Sequence, residues 1–429
     1  MTPDYPWYHR RGYLHFDRPI QQKAASRIVK NADSVARHSF FPFIQFEIKT
    51  KRLKWSKEEN KLVENNKSRM VSYASHVDSH IYSYYAHLLN AKYEARLNEL
   101  GLSSNILAFR KLGESNIDFA KRAFLAITSR GECHVIGLDV EKFFNNLDHR
   151  VLKDAWLNAL GAKSLPHDHY AVFKAITKHS TVDRDLAYAL CGISKNNPRS
   201  EDQQICSIKN FRALIQPIIV SNKEGKGIPQ GSPISALLSN IYMLEFDVMM
   251  KKHVSVFGGE YFRYCDDILL IVPPSVQEAS LGFAENTIQK FGLNIQSKKT
   301  ERRTFTRELD HNGNEYLFSP KPLQYLGFLF DGQRILLRSA SLARYSDKVR
   351  RGIKLAKATM NKRNFARQIR GDEKQPIYKK NLRKLYTHFG RRNFLTYGHK
   401  AARTMNSTAI RKQLKPLSAR FARRLRYIS

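Results

Sequence analysis

The chain has 429 residues, with Lys+Arg 73 against Asp+Glu 38, a formal net charge of +35 and a pI near 10.0. That length predicts two or three subdomains, and so positive a field calls for a polyanion, most simply nucleic acid. No apolar run is long enough to span a membrane, Met1 precedes no signal-like segment, and Cys133, Cys191, Cys206 and Cys265 form no CxxC pair. A membrane protein, a disulfide framework and a zinc knuckle are therefore set aside, and a cytoplasmic location is expected.

Residues 1–36 interleave rings and cations (Tyr5, Trp7, Tyr8, Arg10, Arg11, Tyr13, Phe16). Such a segment can stack on nucleic acid, or it can be an arm docked by its aromatics. His38 to Trp55 reads as strands. Ile81, Tyr84, Tyr85, Leu88, Leu89, Tyr93 and Leu97 recur at helical spacing, predicting a helix over 78–100 with Gly101 behind it. Ile106 to Lys111 reads as a short strand ending in cations, and Asn116 to Thr128 as a second helix. The pairs Lys67/Arg69 and Arg110/Lys111 could hold a triphosphate or a template backbone, although each alone suits a solvated face.

His134 to Leu138 is an apolar strand that delivers Asp139 at its end, where a fixed backbone suits a metal ligand. Asp148 is placed to cap a helix over 151–160. The stretch from Gly161 to Ser221 carries helices and a polar loop at Ser194 to Ser200. His167-Asp168-His169 has no partner cluster and is not read as a metal site. Gly225 to Asn240 holds the string Gly227-Ile228-Pro229-Gln230-Gly231-Ser232-Pro233, a rigid turn whose backbone can approach a ligand closely, followed by a long helix to about Lys251.

Tyr264-Cys265-Asp266-Asp267 lies between two β-forming runs and places adjacent acids at a hairpin tip. Neighbouring carboxylates repel unless a cation lies between them, and oxygen-only ligands suit Mg2+. Two such ions about 4 Å apart can clamp the attacking and leaving oxygens of a phosphoryl transfer. An exposed Asp-Asp turn is the competing reading of the tetrapeptide alone.

Taken in order, Asp139-Val140-x-x-Phe143-Phe144, Gly227 to Pro233 and Tyr264 to Asp267 resemble palm motifs A, B and C of reverse transcriptases. Gly292 to Thr300 looks like motif D, Leu323 to Phe328 like the primer-grip hairpin, and Lys67-x-Arg69 and Ala108-Phe109-Arg110 like fingers motifs. The resemblance covers about 67–330. It implies an α+β right-hand polymerase with an antiparallel palm sheet: an aromatic and basic extension (1–60), fingers (61–130), palm with fingers insertions (131–330) and a helical thumb (331–429). The bacterial style is similar to group II intron-like and retron enzymes. Arg11 to Asp17, Asp78-x-x-Ile81-x-x-Tyr84-Tyr85 and Ala108-Phe109-Arg110 look more like the defence-associated reverse transcriptases, class 2.

By that resemblance, Asp139 and Asp266 are ligands for two Mg2+ ions, with the Val140 carbonyl assisting and Asp267 as the auxiliary acid. Phe144 takes the steric-gate position, excluding the ribose 2′-hydroxyl. Gln230 and Gly231 line the dNTP pocket, Lys67 and Arg69 contact the triphosphate, and Lys299 neutralises or protonates the leaving pyrophosphate. Arg110 contacts template, and Tyr325, Leu326 and Gly327 grip the primer. The function implied is RNA-templated DNA synthesis in bacterial anti-phage defence, copying a structured noncoding RNA, with repeated copying into concatemeric DNA carried over as an expectation. A retron or group II intron-type enzyme is one alternative, and an idle RNA-binding scaffold is another that the intact acids argue against.

From Gly332 to Ser429 there are 28 Lys+Arg against 3 Asp+Glu. Ile377, Leu382, Leu385, Tyr386 and Phe389 recur at helical spacing, so a helical thumb is expected with one face on the core. Its other face, including Arg420, Arg423, Arg424 and Arg426, would lie on an RNA–DNA duplex backbone.

Overall fold

A computed structural model describes residues 5–50, 53–56, 59–64, 66–198 and 203–426; the side chains of residues 53–56, 62 and 67 lie outside that description. Arg199 and Ser200 of the expected polar loop, the Trp55 side chain and the start of the N-terminal arm fall outside it as well. The strands, in chain order, are β1 (Phe43–Thr50), β2 (Leu53–Ser56), β3 (Lys61–Glu64), β4 (Lys67–Tyr73), β5 (Cys133–Asp139), β6 (Ser180–Asp183), β7 (Val220–Ser221), β8 (Glu260–Tyr264), β9 (Asp267–Val272), β10 (Glu301–Leu309), β11 (Glu315–Phe318), β12 (Leu323–Tyr325), β13 (Phe328–Phe330) and β14 (Ile335–Leu337).

The central sheet is antiparallel in the order β11-β10-β5-β9-β8. Its strand β9 reads Ile268-Leu269-Leu270-Ile271-Val272 without alternation because both faces are covered. Successive side chains point to opposite faces. Ile268, Leu270 and Val272 join Ile136, Leu138 and Tyr261 in one core, under the helices His76–Glu99, Ser235–Tyr242 and Gln277–Lys290. Leu269 and Ile271 join Val135 and Phe262 in a second core with the helix Asn116–Arg130 and the C-terminal helices. Burying such side chains stabilises the fold by about 1.5–3 kcal/mol each.

A second sheet, β4-β1-β6-β7, draws β6 and β7 back from the middle of the chain onto β1. The N-terminal segment is a docked arm. Trp7 is buried, Tyr8 stacks on His80 with ring centroids 4.8 Å apart, and Tyr13 stacks on His76 at 5.2 Å. Asp17 completes the docking by accepting the backbone N–H groups of His76 and Val77, both at 2.9 Å, at the start of the helix His76–Glu99.

Several expectations are revised. Ile106 makes only an isolated bridge to Arg263, and Phe109 has a φ of 63°, so 106–111 is a turn and not a strand. The single helix expected after Pro233 is two, Ser235–Tyr242 and Leu244–Val256, broken at Met243. The C-terminal region is helical (Ser339–Ile369, Lys379–Tyr386, Phe394–Thr404, Thr408–Arg426), yet the first of these buries only Tyr345, Val349 and Ile353. Leu385 and Phe389, expected in the core, are 58% and 73% exposed.

Candidate active site

β8 and β9 are joined by the two-residue turn Cys265-Asp266, with Tyr264 and Asp267 as register partners. Cys265 has a φ of 60°, a left-handed conformation that a non-glycine residue adopts at a cost on the order of 1 kcal/mol or more. β5 lies on the other side of β9, and its last residue, Asp139, is the register partner of Asp267. One residue on, the Val140 N–H donates to the Asp266 carbonyl at 3.2 Å. The strand end and the turn are thereby stitched together, bringing all three acids to one end of the sheet.

The Lys299 ammonium ion-pairs with the Asp139 carboxylate. Its segment is held there by backbone bonds: Gln296 N–H to the Asp139 carbonyl and Glu141 N–H to the Asn294 carbonyl, each 2.8 Å. A cleft of about 410 Å³ joins Asp139, Asp267 and Lys299 to Tyr325, Leu326 and Gly327. Leu326 and Gly327 form the two-residue turn between β12 and β13, with φ values of 45° and 94°. Positive φ at both positions matches the right-handed twist of a hairpin. Arg338 also lines the cleft. It opens the thumb and was not singled out from the sequence, where it is one cation among many.

Among the described residues, no group of three or more His, Cys, Asp and Glu side chains gathers as a ready-made metal site. The facing carboxylates still fit a hard divalent cation, whose shell is ordinarily completed by substrate phosphates and water. Lys299 is the cation that meets the Asp139 charge in this arrangement.

The glycine string docks beside the acids. Ile228 N–H donates to the Phe144 carbonyl at 2.9 Å and Gly227 N–H to that of Leu147 at 2.8 Å. Phe143 is buried in the core, while Phe144 is only half-buried. At the other end of the string, Ser72 N–H of β4 donates to the Gln230 carbonyl at 2.8 Å. Gly231 has a φ of 117°, and a Cβ there would lie 2.4 Å from the Ser72 carbonyl oxygen, so only glycine fits. β4 also carries Arg69, which is exposed, and Lys67, whose side chain lies outside the described residues.

Arg110 does not meet its expectation as a template contact. Its side chain is 2% exposed and grips Glu94 in a bidentate pair, Nε–Oε1 2.9 Å and Nη2–Oε2 2.7 Å. Nη1 donates to the Ser103 and Ile106 carbonyls at 2.6 and 2.8 Å. The guanidinium is spent on holding the 103–110 turn. Asp168 and His169 are likewise structural: Asp168 accepts from the Tyr85 hydroxyl at 2.5 Å, and Trp156 Nε1 donates to His169 Nδ1 at 3.2 Å.

A buried ionic group beneath the turn escaped the sequence reading. Arg263 and Asp247 are both fully buried and pair in bidentate fashion, with two bonds of 2.6 Å. The visible signal was Arg263 inside the β-forming run Tyr261 to Tyr264 and Asp247 between Phe246 and Val248. In the thumb, Leu417, Phe421 and Leu425 bury one face of the last helix, leaving Arg420, Arg423, Arg424 and Arg426 on its exposed side.

An antiparallel palm carrying three acids at one end, beside a hairpin and a basic helical thumb, is the architecture of a right-hand polymerase. Residues 57–330 match the reverse transcriptase (RNA-dependent DNA polymerase) family, and the chain belongs to it. That family is one of RNA-directed DNA polymerases, which are nucleotidyltransferases. No curated protein matches the sequence. Among solved structures, apo telomerase from Candida tropicalis truncated from its C-terminal domain is 12% identical, covering 65% of this chain and 54% of that one, with a TM-score of 0.43. A second apo telomerase structure from Candida tropicalis is 11% identical, covering 75% and 53%, with a TM-score of 0.39. The chain thus spans about half the length of those telomerase chains.

Proposed function

We propose that this reverse transcriptase copies a structured noncoding RNA into DNA using two Mg2+ ions. Asp139 and Asp266 would be the ligands, the Val140 carbonyl would assist, and Asp267 would be the auxiliary acid. The observation that carries this reading is the end of the central sheet, where Asp139 pairs with Asp267 across the ladder and Val140 N–H holds the Asp266 carbonyl, beside the cleft that Lys299 shares with the Tyr325-Leu326-Gly327 hairpin. The ions, when bound, supply Lewis acidity for in-line phosphoryl transfer. Lys299 pairs with Asp139 at the cleft and is suited to neutralise the leaving pyrophosphate. Phe144 is half-buried, its carbonyl bonded to Ile228 of the glycine string, and its ring would exclude the 2′-hydroxyl. Gln230 and Gly231 would line the base and sugar, with Lys67 and Arg69 toward the triphosphate. Leu326 and Gly327 would seat the primer terminus. Fingers (61–130), palm (131–330) and thumb (331–429) are the corresponding divisions.

The charge of +35 exceeds what one turn of primer–template needs, which supports a large RNA partner held over several faces. A bacterial, cytoplasmic role in anti-phage defence, with concatemeric DNA as product, rests on the resemblance of Arg11 to Asp17 and of the Asp78 to Tyr85 helix to class 2 defence enzymes. Sequencing the nucleic acid that co-purifies from the native host tests it. One predominant RNA with complementary repeated DNA is expected; a featureless transcriptome-wide profile would overturn the dedicated-partner reading.

A further inference from the structure

Beneath the turn that carries Asp266 lies a cluster with no exposure to solvent. Arg263 on β8 pairs with Asp247 of the helix Leu244–Val256, and the Tyr261 hydroxyl donates to the same carboxylate at 2.5 Å. The remaining nitrogen of the guanidinium, Nη1, donates to Asn240 Oδ1 at 3.1 Å and to the Cys265 carbonyl at 3.2 Å. Asn240 lies on the helix that begins just after the glycine string, and its Nδ2 donates to the Ala108 carbonyl at 2.9 Å. The backbone of Arg263 bonds to Asn105 and Leu107, each at 2.9 Å.

Stability alone does not account for this arrangement. Desolvating two ions costs several kcal/mol each, and well-packed apolar replacements of a buried pair are often as stable or more so. What the ions supply is direction. The Cys265 carbonyl belongs to the peptide unit that leads into Asp266, and Cys265 is held left-handed. From the other flank, Val140 N–H holds the Asp266 carbonyl. The backbone of Asp266 is thus gripped on both sides, once from the strand ending in Asp139 and once by Arg263.

We propose that Arg263 is a positioning residue for the catalytic turn: clamped by Asp247 and Asn240, it fixes the Cys265 carbonyl and so sets the Asp266 carboxylate relative to Asp139 and to the helix behind the glycine string. The inference rests on the reading of Asp266 as a metal ligand. Misplacing such a group by about 1 Å can cost on the order of 100-fold in rate.

The test uses the full chain, with single-nucleotide incorporation on a DNA-primed RNA template and Mn2+ binding followed by electron paramagnetic resonance without nucleotide. Arg263→Met combined with Asp247→Leu removes both ions at once; the Tyr261, Asn240 and Cys265 groups left without these partners should lower its melting temperature, but the fold should hold. Its kcat should nevertheless fall about 100-fold with little change in KM, the pattern of lost transition-state alignment. Mn2+ affinity should fall about tenfold while template affinity holds. Arg263→Lys keeps a charge opposite Asp247 but cannot reach Asn240 and the Cys265 carbonyl together, so it should show the same loss if the double variant does not fold. Wild-type kcat and Mn2+ affinity in whichever of these variants folds would reduce the cluster to packing and overturn the proposal. Asp266→Ala is the control: if it still incorporates nucleotide, the reading of Asp266 fails, independently of Arg263.

Discussion

Asp139 and Asp267 are register partners across the ladder between β5 and β9, residues 128 positions apart in sequence and adjacent at one end of the sheet. Two carboxylates so placed repel. The Lys299 ammonium meets that charge from the segment after Gly292, which is itself bonded to the backbone around Asp139. The pairing brings the strand end at Asp139, the turn before Ile268 and the Lys299 segment onto one cleft.

Phe143 and Phe144 are adjacent but not equivalent. Phe143 is buried, so Phe143→Ala should destabilise the fold by about 3–5 kcal/mol. Phe144→Ala should cost less stability and should admit ribonucleotides, because selectivity from excluded volume vanishes with the ring. Incorporation of rNTP against dNTP by the two variants checks this; unchanged exclusion in the Phe144 variant would place the gate elsewhere.

Arg110 should behave as a structural residue. Arg110→Ala leaves Glu94 and the Ser103 and Ile106 carbonyls without their donor, and should lower stability by about 1–3 kcal/mol. Template affinity measured on the folded variant should be unchanged. A selective loss of template binding with an unaltered melting curve would restore the reading of Arg110 as a template-binding residue.

The last helix offers Arg420, Arg423, Arg424 and Arg426 on the side away from Leu417, Phe421 and Leu425. Reversing these four charges should weaken RNA retention. It should also flatten the salt dependence, by up to roughly one unit of log–log slope for each phosphate that the helix no longer neutralises. Binding measured across a salt series reads both effects. An unchanged slope would move the RNA to other faces of the chain.

The sequence was most informative where chemistry repeats locally. The helix ending near Leu100 and the cap at Asp148 follow from periodicity and residue type, whereas the palm sheet and the hairpin at Leu326-Gly327 were implied by the resemblance of the motifs; the Asp148 carboxylate accepts from Arg150 and Val151 N–H at 2.7 and 3.1 Å, as its position implies. What stayed hidden depends on distant partners. Arg110 carries the same charge whether it faces a template or Glu94. Phe389 has the spacing of a core residue but no neighbouring element to cover it. Arg263 sits within a β-forming run, and only the fold brings Asp247 to it.

The most direct test of the account is primer extension on an RNA template with Mg2+ and dNTPs, comparing the wild type with Asp266→Ala/Asp267→Ala, alongside a gel shift on the same preparations. The carboxylates are assigned to the metals and the RNA affinity to Lys and Arg, so the variant should lose incorporation entirely while binding RNA nearly as well as the wild type. Extension retained by the variant would contradict the assignment of the turn as the catalytic centre.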